Sequence, residues 1–147
     1  MASDRTVVGI TSGVLGASAT AGALLGFGLR LGAPAHPFNA IAATLLGSSA
    51  QATSGFAPAV TPLGILLHVA VMIGVGLVYA ALVDRSRRHP VIWALVVAAA
   101  AFVATWLLAR LFGVGLAVLF SPVSLIAIAV VLAVALTLGM RLALPRV

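Results

Sequence analysis

Four long stretches of this chain carry no charge: Val7–Leu29, Pro62–Val83, Val91–Ala109 and Val123–Met140, each about 18 to 23 residues. A helix of about 20 residues, rising 1.5 Å per residue, crosses a hydrocarbon layer of ~30 Å. A backbone in lipid must satisfy its own polar groups, and none of the runs shows the period-two alternation of a membrane barrel, so helices are the expected form. The sequence therefore predicts an all-α integral membrane four-helix bundle, a single transmembrane domain over 1–147. Its spans are expected at about 7–31, 62–83, 90–112 and 122–142.

The first run also has to be weighed as a secretory signal, because Ala17-Ser18-Ala19 has the small residues of a cleavage site. Its apolar stretch continues to Leu31, too far for a typical signal core, so a retained span is expected.

The charges orient the bundle. All eight basic residues are arginines, and four spans place Arg5, Arg85, Arg87, Arg88, Arg141 and Arg146 on one side and Arg30 and Arg110 on the other. The positive-inside rule then puts both termini and the Asp84–His89 loop in the cytoplasm, and the expected location is a bacterial inner membrane. The net charge of +6 is a set of membrane-flanking anchors rather than a nucleic-acid footprint. Arg85, Arg87, Arg88, Arg141 and Arg146 are candidate contacts for lipid headgroups. Without cysteine there is neither a disulfide nor a thiolate site.

Proline marks the helix starts. His36-Pro37, Thr61-Pro62, His89-Pro90 and Ser121-Pro122 each set a residue with helical φ and no N–H at a first helical position, with Thr61 and Ser121 available as N-caps. The first pair predicts an additional short helix over 37–51, too short to span. Its apolar stripe of Phe38, Ile41, Ala42, Leu45 and Leu46 favours an interfacial position, with a re-entrant helix as the alternative. Gly113–Phe120 is a second apolar connection expected on the same outer surface.

The first span carries a packing face. Gly9, Gly13, Gly16, Thr20 and Ala23 recur at helical spacing, with Gly22 and Gly26 as a second small pair and Val14, Leu25 and Leu29 opposite. Such a face admits another backbone closely; packing within the bundle is expected ahead of a homodimer seam.

Polar chemistry within the spans is sparse. His68, about 9 Å into the second span, is the one ionisable residue well inside any of them, which makes it the default functional candidate. Its imidazole is either bonded to the outer segment near Asn39 or Thr61 or available to ligate haem iron or chlorophyll magnesium, with His36 the only second histidine on that side. The only acidic residues are Asp4 and Asp84, and Asp84 lies about 24 Å along the same helix, so no triad or carboxylate pair forms around His68. A dyad with Ser48, Ser49 or Ser54 lacks a recognisable oxyanion hole, and no span offers a carboxylate to relay protons. No enzyme is expected.

Pro37-Phe38-Asn39-Ala40, with Gly47 downstream, then Gly64, Leu67-His68 and Tyr79, resembles a family of small bacterial four-span membrane proteins with no assigned activity. The likeness runs from Pro37 to Leu82. It departs from the pattern at Ala42-Ala43, where a Ser-His pair is common, and in its single histidine, where two adjacent ones are common. The resemblance implies four spans and no reaction.

These features predict a non-enzymatic subunit of a larger membrane assembly, structural or accessory, with an energy-transducing assembly as one setting. Its partners would be the lipid bilayer and other membrane subunits or further copies of itself. A small oligomeric channel or transporter is the alternative, and a haem- or chlorophyll-binding subunit acting through His68 is a third reading.

Overall fold

A computed structural model describes residues 2–86 and 89–143 of the chain. These residues are all helix and connecting turns, with no strand among them: α1 (Ala2–Arg30), α2 (His36–Leu46), α3 (Ser48–Gln51), α4 (Val60–Ser86), α5 (Pro90–Phe112), α6 (Leu116–Leu119) and α7 (Pro122–Ala143). The helices α1, α4, α5 and α7 are each long and apolar enough to cross a membrane.

They run alternately up and down, so Arg5, Asp84, Arg85 and Arg141 gather at one end and Arg30 and Arg110 at the other. Arg87, Arg88 and Arg146 lie outside the described residues. Arg5 Nη1 comes within 3.8 Å of Asp84 Oδ2, but both side chains are more than half exposed and the pair adds little stability.

α1 is the organising helix: it packs along α4 on one side and α7 on the other, while α5 closes the ring against α7 and more lightly against α4. Glycines set how closely the axes approach. A β-carbon at Gly13 would lie 2.6 Å from the Ile73 Cα, and one at Gly9 2.9 Å from the Leu77 Cα. Gly76 faces back onto the Gly13 Cα at 2.6 Å, and Gly139 of α7 onto the Ser12 Cα at 2.5 Å. Gly16 meets the Leu132 side chain. The packed face ends at Thr20: Ala23 is only half-buried, and Gly22 and Gly26 meet nothing within 4 Å, so the second small pair makes no contact inside the chain. Val14, Leu25 and Leu29 point outward as the opposite face.

Toward the Arg85 end the core is Tyr79, Val83, Ala94, Val97, Leu132 and Leu136; toward the other end it is Leu24, Phe38, Phe120 and Leu125. Ser12, wholly buried where α1 crosses α7, keeps a hydroxyl without a hydrogen-bond partner.

Two helix starts follow the proline pattern closely, α5 at Pro90 and α7 at Pro122, where Ser121 Oγ accepts the Ser124 N–H at 3.3 Å. α4 begins two residues before Pro62, at Val60. Thr61 is therefore already helical rather than a cap, and its hydroxyl accepts the N–H of Ala57 upstream.

The largest departure concerns the short helix. Instead of one helix over 37–51, α2 stops at Leu46, because Gly47 takes φ +84° and turns the chain back. His36 Nε2 then reaches the Gln51 carbonyl at 2.8 Å, so the segment forms a hairpin. Its packed face is Phe38, Asn39, Ala40, Ala42 and Ala43, whereas Leu45 and Leu46, members of the expected apolar stripe, are 67% and 48% exposed. The rotation follows from Gly64: the Phe38 carbonyl sits where a side chain on α4 would be, which only glycine allows. Gln51 Oε1 accepts the Gly115 N–H at 2.7 Å, joining the hairpin to α6, so α2, α3 and α6 together cap the Arg110 end.

Candidate functional site

His68 stands two turns into α4 and is 6% exposed. It does not reach Asn39 or Thr61. Its Nε2 lies 3.2 Å from the Ala17 carbonyl oxygen and 3.0 Å from Thr20 Oγ1, both on α1, and its ring meets the Phe38 ring edge-on at 6.2 Å. The Thr20 hydroxyl donates to the Gly16 carbonyl at 2.7 Å. These contacts select a tautomer: an unprotonated Nε2 would set its lone pair against the Ala17 oxygen, so Nε2 carries the proton and donates to Ala17 and Thr20. A nitrogen that already holds a proton cannot take one from Thr20, so the pair is a stitch between α1 and α4 rather than a base poised beside a nucleophile.

Beside the stitch, on the bundle axis, is a cavity of about 70 Å³ lined by Thr20, His68, Met72, Phe102, Thr105 and Leu132 among others. That is room for a few water molecules. It does not fit a porphyrin, and Nε2 is turned away from a ligating role by its bonds to α1. The His36 Nε2 is engaged as well, by Gln51, so the two histidines do not form an axial pair. Ser48, Ser49 and Ser54 are exposed and His68 bonds none of them. Among the described residues no group of three metal-binding side chains comes together.

A second polar knot, unexpected from the sequence, sits at the base of the hairpin. Asn39 is fully buried; its Nδ2 donates to the carbonyls of Thr53 at 2.7 Å and Gly55 at 2.8 Å, and its Oδ1 accepts the Thr61 hydroxyl at 2.6 Å. Thr61 in turn accepts the Ala57 N–H at 3.0 Å. Both amide protons and the amide oxygen are thus used to hold the turn that follows the hairpin against the start of α4.

If His68 is a stitch, His68→Gln should retain most of the protein's thermal stability, because the amide still donates to α1. His68→Leu should cost roughly 1 kcal/mol or somewhat more. Wild-type protein should purify colourless. A stoichiometric Soret band in the wild type that vanishes in His68→Gln would show instead that the ring is a ligand.

Comparison with protein-family models, with curated proteins and with solved structures finds no match to this chain.

Proposed function

We propose that the chain is a multi-pass protein of the bacterial inner membrane that serves as a structural or accessory subunit of a larger membrane assembly. The observation carrying this reading is where the polar and small residues go. Buried polar side chains such as His68, Thr20, Asn39 and Thr61 are spent on holding the bundle together, while the circumference is apolar: Leu66, Val71, Leu95, Val130 and Val134 are all more than half exposed. A water-soluble monomer rarely shows so much contiguous apolar surface, whereas lipid and neighbouring helices both accept it. Along that surface Gly26, Ala23 and Ala127 line a shallow groove of about 360 Å³ between α1 and α7. Small residues there allow a partner helix a close approach. A conducting path within one copy is disfavoured by the narrow interior, so the channel alternative requires the path to run between copies.

Native mass spectrometry of gently solubilised protein tests this. Unrelated chains co-migrating in fixed ratio are expected; a closed ring of this chain alone would favour the channel. The orientation follows from the arginine split, with both termini in the cytoplasm. Reporters fused at Val147 and inserted within Ala57–Val60 should report opposite compartments, and a shared compartment would dismiss the four-span arrangement.

A further inference from the structure

At the end of the bundle away from Arg5, Arg85 and Arg141, the Arg110 guanidinium stacks on the Trp106 ring, with its carbon 4.8 Å from the ring centroid. The two side chains flank a groove of about 320 Å³ between α5, α6 and α7, whose other wall includes Ala117, Val118, Phe120 and Leu125. The guanidinium therefore has an aromatic plate under it and hydrocarbon beside it. What it lacks is a counter-charge. The only acidic side chains in the sequence are Asp4 and Asp84, both at the opposite end, and α5 alone sets Arg110 about 30 Å from its own start beside the Asp84 loop. No carboxylate side chain of this chain can approach Arg110.

A positive fork over an apolar groove, one end of a helix long enough to span, is the chemistry of an amphiphilic anion. A free anion in water would gain nothing from the Ala117 and Val118 wall. A phospholipid uses both parts: a phosphate accepts two parallel N–H bonds from a guanidinium, and an acyl chain covers the groove. Tryptophan beside arginine at a helix end is also the usual composition of the headgroup level. We propose that this groove binds an anionic phospholipid, with its phosphate on Arg110 and one acyl chain against Ala117 and Val118. The site rests on the reading that the four helices span a bilayer, and it adds to that reading a specific lipid position in the leaflet at the capped end.

Trp106 makes the site directly observable, since Trp93 is the only other tryptophan. Trp93→Phe protein is reconstituted in phosphatidylcholine vesicles containing rising fractions of bromine-labelled phosphatidylglycerol or, separately, bromine-labelled phosphatidylcholine. Quenching of Trp106 should show phosphatidylglycerol favoured about fivefold, the gain of one arginine contact near the surface. Arg110→Gln should bring the preference close to unity, whereas Arg30→Gln, a change of equal charge at the same end, should leave it intact. Equal quenching by the two lipids would overturn the proposal, as would a preference that survives Arg110→Gln or falls equally with Arg30→Gln. Loss of the preference on adding excess aqueous glycerol phosphate would reduce the site to a simple anion contact and also overturn it. If neither lipid quenches while aqueous iodide does, the spanning reading itself fails, a result separate from failure of the lipid site.

Discussion

Gly76→Ala should separate α1 from α4 and lower the stability of the bundle by several kcal/mol, the upper part of the range for overpacking a rigid site. The added carbon would meet the Gly9 carbonyl oxygen and lie 2.6 Å from the Gly13 Cα. Both neighbours are backbone, so no rotamer change relieves the clash and the two helices must move apart. Gly13→Ile attacks the same crossing from the other side, against the Ile73 Cα at 2.6 Å and the Met72 carbonyl at 2.7 Å, and should be at least as damaging. Two changes on α1 serve as controls. Leu25→Ile lies on the outward face, and Gly22→Ala introduces a carbon with nothing within 4 Å, so both should melt within a degree or two of the wild type or above it. Thermal unfolding in detergent, followed by circular dichroism, separates the groups. Wild-type melting of Gly76→Ala would mean that the axes lie farther apart than the crossing requires.

That crossing illustrates what can be read from an apolar sequence and what cannot. The period of Gly9, Gly13 and Gly16 is visible because glycine recurs on one face of a single helix. Their receiving surfaces are not, because Gly76 and Gly139 lie on different helices and form no small-residue repeat, and only the fold brings them opposite Gly13 and Ser12. On α4 the signal is nonetheless present: Thr61, Gly64, His68, Gly76 and Tyr79, small or polar residues of a largely apolar helix, fall on its buried side, although Gly74 is exposed. In helices of this composition burial is better marked by small and polar residues than by large apolar ones, since lipid is as apolar as the interior. The same inversion is seen in α2. Of the apolar stripe that favours an interfacial position, Phe38 and Ala42 are buried together with Asn39, Ala40 and Ala43, while the large Leu45 and Leu46 are exposed. The proline positions located the helix starts to within two residues because φ and the missing N–H act locally. His68 was legible as the residue to examine, but its partners lie 48 and 51 positions away, a separation at which local pattern carries no information.

The second large effect is expected at Asn39. The carbonyls of Thr53 and Gly55 belong to a turn that has no ladder or helix to satisfy them, and one buried amide serves both while accepting from Thr61. Asn39→Leu keeps the approximate volume but deletes two donors and one acceptor together. Each buried group left unpaired costs about 1–3 kcal/mol, and because the turn around Gly55 is exposed, water will recover part of that, leaving a net loss of roughly 2–4 kcal/mol. Thr61→Val removes only the bond to Asn39 and the acceptor for Ala57, so it should be milder, and the double variant should fall well short of the sum because the two residues share one network. The damage should also be local. α1, α4, α5 and α7 do not depend on the turn for their own hydrogen bonds, so helicity should persist while the segment from 52 to 59 becomes the first site of proteolytic cleavage. If Asn39→Leu melts with the wild type and the turn stays resistant to protease, the hairpin is held by the Phe38–Gly64 contact and the bonds of Gln51 to His36 and Gly115, and Asn39 is a passenger in its core.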